Sequence, residues 1–191
     1  MTPAQREEVL HLRKQCRLPW HSPPHFGTES SLYHILAACY EHAHILCTPD
    51  RLTSFESELV FGLEESGVAE VRAWVVLPNH YHLLVKASLP ELGKWLHRLH
   101  NKTSTRWNGE DGKRGRKVWH RYSDRLIRGE VHYYRTLNYI HANPVKHGFA
   151  VKSQKWPWNS FSRFKEKYGR EKLVEWWRDF PITGYGKGWD D

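Results

Sequence analysis

The amino-acid sequence predicts an α+β fold, in which helices packed on one face cover an antiparallel sheet. Its 191 residues are enough for one domain with short appendages. Segments with strand and helix patterns follow one another in the order β-α-β-β-α-β-α. A Pro-Asn turn joins the two middle strands, so these strands are expected to form an antiparallel hairpin.

The first half of the chain contains this hairpin and the elements that precede it. Residues 33–40 fit a strand, and residues 51–66 carry apolar side chains at helical spacing up to a glycine. The hairpin occupies residues 71–86 around the Pro78-Asn79 turn. Its second strand carries apolar side chains on both faces, which predicts a central position in the sheet.

The second half alternates helices with irregular segments. The predicted elements are an amphipathic helix over 89–107, a mobile basic loop over 108–117, an extended segment over 118–122, a helix over 130–143 and a basic helical piece up to about residue 178. The helix over 130–143 is expected to end before Pro144, because a residue before proline disfavours helical backbone. A glycine-rich tail from Gly184 is expected to be disordered.

Composition narrows the class of partner. Lys and Arg exceed Asp and Glu by 29 to 21, with a pI of about 9.4. A polyanionic partner fits this charge, and the ten Trp and nine Tyr suit stacking on unpaired bases. The same aromatic residues could equally fill a core, so composition alone leaves both interpretations open.

The cysteines and the N-terminal residues favour a cytoplasmic protein, which a DNA partner would make nucleoid-associated. Cys16, Cys39 and Cys47 are odd in number and lack CxxC spacing, which is typical of reduced thiols. The N-terminus lacks the apolar run of a signal peptide, and no segment reaches membrane-spanning length. We therefore expect no membrane partner.

The second hairpin strand opens with two histidines that share one face. Side chains alternate along a strand, so His80 and His82 point one way and Tyr81 points the other way. Two neutral imidazoles on a rigid strand can hold a divalent ion. A hydrogen-bonded histidine pair without a metal is the alternative.

The helix over 130–143 offers a matching pair of polar residues. Tyr139 and Asn143 lie four residues apart and share a helix face, beside an apolar stripe of Tyr134, Leu137 and Ile140 that would dock on the sheet. If the strand beneath carries the histidines, the result is a metal with three N or O ligands beside a hydroxyl nucleophile. Mg²⁺ or Mn²⁺ would polarise a phosphodiester, and tyrosine attack would give a 5′-phosphotyrosine link. Simple packing of the tyrosine and a helix-end role for the asparagine are the alternatives.

Two segments resemble the signature motifs of the REP-associated tyrosine transposases, which are single-tyrosine HUH transposases. These segments are residues 77–85, with the sequence LPNHYHLLV, and residues 139–148, with the sequence YIHANPVKHG. Supporting matches are Tyr33-His34-Ile35, Val118-Trp119-His120-Arg121 and Trp156-Pro157-Trp158-Asn159-Ser160. The resemblance covers residues 30–165 as the catalytic domain. It leaves residues 1–29 as a basic N-terminal arm and residues 166–191 as a C-terminal helical piece with a flexible tail.

The resemblance implies a ferredoxin-like or RRM-like sheet, the HUH endonuclease fold, and a specific set of roles. His80, His82 and Asn143 would be the metal ligands, and Tyr139 would be the nucleophile. The implied substrates are single-stranded DNA hairpins formed by palindromic repeats, cleaved and rejoined by a monomer or homodimer. The residue between the histidines is usually aliphatic in this family, and here it is Tyr81, a second phenol that points away from them.

Basic residues outside these motifs are candidates for holding phosphates. They lie on the helix over 89–107, in the loop after it and just beyond: Lys94, Arg98, Lys102, Arg106, Lys113, Arg114, Arg116, Lys117 and Arg121. A solvated helix face is the alternative for those on the helix. Two other functions stay open at this point, a protein that binds a DNA or RNA hairpin without cutting it and a hydrolase that uses activated water.

Overall fold

The computed structural model describes residues 30–187 together with Glu7 and His11, so the predicted arm otherwise lies outside the described residues. The strands are Ser31–Ala38 (β1), Ala69–Val76 (β2), His80–Ala87 (β3) and Ser123–Leu126 (β4). The helices are Pro49–Glu65 (α1), Leu89–Glu110 (α2), Glu130–Lys146 (α3) and Phe161–Asp179 (α4). Short 3-10 turns cover Tyr40–His42 and Ser153–Lys155.

The four strands form one sheet in the order β2-β3-β1-β4. Each neighbouring pair is antiparallel. The predicted α+β class and antiparallel sheet are therefore confirmed. The central place of β3 is confirmed as well, since it pairs with β2 on one side and β1 on the other.

Both faces of the sheet are covered by helices. On one face, Tyr81 and Leu83 of β3 pack with Phe55 of α1 and Leu92 of α2 in a large core. On the other face, Leu84 lies in a smaller core with apolar residues from β2, α3 and α4. Helices on one face were predicted, and α3 and α4 cover the second face as well. The physical reason is that β2 and β3 are apolar on both faces, so both must be shielded from water.

The last strand lies later in the chain than predicted. Of the segment expected at 118–122, Trp119 makes only an isolated bridge to Cys39. The strand proper is β4, which pairs with β1 from Tyr33–Leu126 to Leu36–Ser123. The predicted position is therefore wrong by several residues, because β4 carries no strong apolar pattern of its own.

Helix α3 continues past the point where the proline was expected to stop it. It runs through Pro144 to Lys146. The missing proline N–H removes only one hydrogen bond, and it does so in the last turn, where backbone groups already begin to lack helical partners. The Pro144 carbonyl then accepts bonds from the backbone N–H groups of Phe149 and Ala150, which close the turn.

The C-terminal part packs on the rest of the chain. Helix α4 crosses residue 165, and its Leu173 and Trp176 belong to the smaller core. The tail was expected to be disordered from Gly184, and this is wrong for residues 184–187, in which Tyr185 is half-buried and Gly186 is buried. Residues 188–191 lie outside the described residues. Within the described ranges, no helix combines the length and the apolar character needed to cross a membrane.

A buried tyrosine–histidine pair makes folding sensitive to pH. The Tyr81 hydroxyl lies 2.9 Å from His100 Nε2, and the His100 ring stacks on Trp119 with centroids 4.5 Å apart. Burial, with a smaller contribution from His97, lowers the pKa of His100 to about 3. In the unfolded chain a histidine titrates near about 6.5, so below that pH the unfolded state binds a proton that the folded state excludes.

We expect the stability supplied by this site to be fully present above about pH 6.5 and to fall as the pH drops towards 3, by up to about 1.4 kcal/mol per pH unit. Urea unfolding at pH 7, 6 and 5 measures the slope. The variant His100→Gln should show a shallower pH dependence, and His141, also buried with a pKa of about 3, should account for part of what is left. An unchanged slope in His100→Gln would contradict the prediction.

Candidate functional site

The two histidines of β3 lie on the face of the sheet that α3 covers. His80 is 1% exposed and His82 is fully buried. Their ring centroids are 5.1 Å apart and the ring planes are nearly perpendicular. Alternation along the strand puts both on this face together with Leu84, as predicted.

Helix α3 brings two further polar side chains to the histidines. Asn143 Oδ1 lies 2.9 Å from His80 Nε2. The Tyr139 ring stands edge-on to His82, with centroids 5.5 Å apart. The helix is held there by apolar residues of its adjacent face, including Leu137 and Ile140, which belong to the smaller core. The structure therefore brings together all four residues that the sequence argument placed in the site.

The contacts of His80 suit a cation. Its Nδ1 lies 2.8 Å from Asn79 Oδ1, and its Nε2 lies 2.9 Å from Asn143 Oδ1. A neutral imidazole has only one N–H, so it cannot donate to both amide oxygens. A cation beside Nε2 and Asn143 Oδ1 would satisfy both lone pairs, and a separation of 2.9 Å suits adjacent ligands of an octahedral ion with bonds of about 2.1 Å. The residues present therefore fit a divalent metal ion.

Such an ion would have few strong ligands. Among residues 30–187, no group of three or more His, Cys, Asp or Glu side chains is arranged to hold a metal. Two imidazoles and one amide oxygen would thus form the protein part of the site. Asn143 Nδ2 is buried and has no hydrogen-bond partner within the described part of the chain, so it is available to a polar ligand.

A third histidine, which the sequence analysis did not assign to the site, contacts His82 from β1. His34 Nε2 lies 2.9 Å from His82 Nδ1, and the two rings are stacked with centroids 5.1 Å apart. His34 is 1% exposed. The strand register explains the contact, since His34 pairs with Leu84, two residues from His82. No local spacing reveals this neighbour, because β1 precedes β3 by more than forty residues.

The hydroxyl of Tyr139 is enclosed by the helix end and the C-terminal segment. Lys146 Nζ donates to Tyr139 Oη at 3.0 Å. The hydroxyl in turn donates a long bond of 3.5 Å to the Gly186 carbonyl. Tyr185 also stands edge-on to the Tyr139 ring, with centroids 5.8 Å apart. Tyr139 is only 1% exposed as a result.

The other phenol near the histidines, that of Tyr81, lies on the opposite face of the sheet. Tyr81 lies in the larger core, and its hydroxyl bonds His100 on α2. Burial raises the pKa of Tyr81 well above its ordinary value. The structure thus agrees with the expectation that Tyr81 points away from His80 and His82.

The predicted phosphate-binding residues divide into two groups. In the first group acidic partners balance the charge: Lys94 pairs with Glu91, Lys102 and Arg106 pair with Glu58, and Arg116 pairs with Asp111. These pairs involve α2 and its end, across the sheet from Tyr139. The second group is exposed and consists of Arg98, Lys113, Arg114, Lys117 and Arg121.

Part of the second group reaches the end of the sheet where His80 lies. The Tyr40 N–H bonds the Val118 carbonyl, and the Cys39 N–H bonds the Asn79 carbonyl. The ammonium of Lys117 sits over the Tyr40 ring at 4.3 Å. The basic loop is therefore connected by backbone bonds to the turn that precedes His80.

A further basic group lies beside the segment that covers Tyr139. An open groove of about 500 Å³ is lined by residues that include Arg128, His132, Arg135 and Tyr185. Burial lowers the pKa of His132, and the nearby Arg128, Arg135 and Arg125 lower it further. This group was not predicted from the sequence, because its members come from the turn after β4, from α3 and from the C-terminal segment.

Comparisons with known proteins bear on this arrangement. No family model matches the chain. A REP-associated tyrosine transposase of Escherichia coli K12 is 34% identical over 101 residues, which are 49% of this chain and 55% of that protein. A relative from Haemophilus influenzae with the same family description is 34% identical over 107 residues, covering 49% of this chain and 60% of its own length. The chain is similar to the REP-associated tyrosine transposases.

The resemblance seen in the two motifs is thereby confirmed, although the match spans little more than half the length of each relative. The solved structure of a REP-associated tyrosine transposase bound to a REP hairpin superposes with a TM-score of 0.58 at 20% identity. The superposition covers 74% of this chain and 83% of that one. At this identity the likeness shows the fold, an antiparallel sheet with helices.

Proposed function

We propose that this chain cleaves and rejoins single-stranded DNA at hairpin-forming repeats, with Tyr139 as the nucleophile. The observation that carries the proposal is the approach of Tyr139 and Asn143, on one helix face, to His80 and His82 on the strand beneath. The similarity to transposases supports it, and the solved relative is described as bound to a REP hairpin. A hairpin of the same chemical class is the substrate we propose here.

In the reaction, Tyr139 Oη attacks a backbone phosphorus. The bond from Oη to phosphorus forms while the bond from phosphorus to the 3′-oxygen breaks, and the phenol proton ends on that 3′-oxygen. The product is a 5′-phosphotyrosine and a free 3′-hydroxyl. Attack by a 3′-hydroxyl on the same phosphorus reverses the step and rejoins the strand, so no external energy source is needed.

His80, His82 and Asn143 would hold a divalent ion such as Mg²⁺ or Mn²⁺, which when bound supplies charge neutralisation at the phosphate oxygens. Two neighbours set the tautomers of these histidines. His80 Nδ1–H would donate to Asn79 Oδ1, and in the tautomer that we propose His82 Nδ1–H donates to His34 Nε2. Each Nε2 then keeps its lone pair, as a metal-binding histidine requires.

The exposed part of the basic loop is proposed to bind the DNA backbone. Replacing Lys113, Arg114, Lys117 and Arg121 by Gln should reduce the salt dependence of hairpin binding, with the slope of log affinity against log salt falling by up to about three. The matched control is Lys102→Gln with Arg106→Gln, whose charges Glu58 already balances. Fluorescence anisotropy over a salt series measures both slopes. A larger change in the control than in the loop variant would contradict the assignment.

The test of the proposed function uses a labelled single-stranded hairpin oligonucleotide from repeats near the gene for this chain. The protein is incubated with it and Mg²⁺ or Mn²⁺ and then run on a denaturing gel. We expect a DNA-labelled protein band that is lost when EDTA is added. Cleaved DNA without a labelled protein band would instead indicate a hydrolase that uses water.

One observation favours a second candidate, a hairpin-binding protein that does not cut. Tyr139 is 1% exposed, so its hydroxyl cannot meet a phosphate while residues 184–187 lie over it. In this alternative the histidines and Asn143 form a hydrogen-bonded cluster without a metal. Tight hairpin binding with neither cleavage nor a labelled band, even after removal of the covering segment, would select it.

A further inference from the structure

A basic side chain, Lys146, contacts the hydroxyl of Tyr139. Its Nζ donates a hydrogen bond to Tyr139 Oη at 3.0 Å. The same nitrogen lies 5.1 Å from the centroid of the Tyr139 ring, so it is near the oxygen end of the phenol and not above the ring centre. Lys146 lies within the second motif, residues 139–148, but was not among the predicted site residues.

The contact is built into helix α3. Seven residues separate Tyr139 from Lys146, which in an α-helix is two turns and an angular difference of about 20°. Both side chains therefore lie on one face of one rigid element, together with Asn143. A cation in the last turn of a helix is also favoured by the helix dipole.

We propose that Lys146 is a catalytic residue that holds Tyr139 Oη and stabilises negative charge on this oxygen during strand cleavage and rejoining. This inference rests on the proposed function. In this role Lys146 acts on the nucleophile directly, whereas His80, His82 and Asn143 are the proposed metal ligands.

Negative charge develops on Tyr139 Oη in both directions of the reaction. In cleavage, the phenol oxygen carries negative charge after its proton has left and before its bond to phosphorus is complete. In rejoining, the same oxygen leaves phosphorus and carries negative charge again. An ammonium at 3.0 Å offers a charge-assisted hydrogen bond in both directions. Fixed donors at a charge that develops in the transition state are commonly worth about 10²–10³-fold in rate.

The experiment compares Lys146→Met, Lys146→Arg and a matched control, Lys165→Met. Lys165 is an exposed lysine on α4, so its replacement removes the same charge away from the phenol. Three quantities are measured for each full-length variant: hairpin affinity without cleavage, the single-turnover rate of covalent adduct formation, and the rate at which a 3′-hydroxyl acceptor strand resolves a preformed adduct. Thermal unfolding checks that each variant is folded.

We expect Lys146→Met to slow adduct formation and adduct resolution by similar factors of about 10²–10³, with hairpin affinity changed less than about threefold. Lys146→Arg should restore most of both rates, because it keeps a positive donor. Lys165→Met should behave like the unaltered chain. If adduct formation and adduct resolution both slow while hairpin affinity is kept, the role of Lys146 is catalytic. A purely structural role would lower the affinity as well.

Several outcomes would overturn the inference. If Lys146→Met forms adduct as fast as the unaltered chain, or loses affinity as much as rate, Lys146 is not catalytic while the proposed function stands. Failure of Lys146→Arg to recover any rate would likewise overturn the role of positive charge. If the unaltered chain forms no adduct with or without residues 184–191, the proposed function fails, and this inference fails with it.

Discussion

Replacing Tyr139 by phenylalanine is expected to abolish the covalent protein–DNA adduct and to leave hairpin affinity within about twofold. Only the hydroxyl is lost, and it is the atom proposed to attack phosphorus. The phenyl ring can keep its edge-on contact with His82 and its packing under Tyr185. The lost bonds to Lys146 and Gly186 should cost about 1 kcal/mol of stability, so the variant should fold.

A denaturing gel with labelled hairpin DNA measures this effect, and anisotropy measures the affinity. The matched control is Tyr133→Phe, which removes a hydroxyl from a half-buried tyrosine on the same helix. That control should form adduct at the normal rate. Adduct formation by Tyr139→Phe, or its loss in Tyr133→Phe alone, would place the nucleophile elsewhere.

Removing residues 184–191 is expected to raise the rate of adduct formation. The Gly186 carbonyl and the Tyr185 ring lie against Tyr139, and the hydroxyl is not accessible to a phosphate until they move. If the uncovered state makes up roughly 1–10% of molecules, the truncation should accelerate single-turnover cleavage roughly 10–100-fold at a subsaturating DNA concentration. A rate that is unchanged or lower in the truncated protein would show that this segment does not limit access.

A pair of glycine substitutions tests whether displacing the segment over Tyr139 has the same effect as removing residues 184–191. A Cβ at Gly186 would overlap Tyr139 Cε2, so Gly186→Ala should displace the segment and also raise the rate. At Gly184 no atom lies within 4 Å of the added carbon. Both glycines have positive φ, +75° and +69°, so both substitutions carry similar backbone strain. Gly184→Ala should therefore raise the rate less than Gly186→Ala.

Local patterns predicted the two halves of the candidate site well. Alternation along β3 placed His80 and His82 together, and helical spacing placed Tyr139 beside Asn143. The apolar stripe of α3 predicted that this helix docks on the sheet, and in the structure it docks over the strand that carries the histidines. These features depend on neighbours within one element, and such neighbours follow from the geometry of that element.

Features that depend on distant pairing were not predicted. His34 reaches His82 only through the register of β1 against β3, and Gly186 meets Tyr139 across 47 residues of chain. The end of α3 was misjudged because the effect of proline depends on its place in the helix. Lys146 could have been found from its spacing to Tyr139, since the interval of seven residues repeats a helix face.

The division of the site between a sheet and a helix has a consequence for mechanical precision. His34, His80 and His82 are fixed by two hydrogen-bonded strands, whereas Tyr139, Asn143 and Lys146 travel together on α3. The position of one set relative to the other depends on the apolar interface in which Leu137 and Ile140 pack against the sheet. A small shift of α3 at this interface would move all three helix residues relative to the histidines at once, without unfolding the chain. If Tyr139 acts as proposed, a change in the size of the Leu137 or Ile140 side chain would therefore alter the reaction rate without altering a residue that takes part in the reaction.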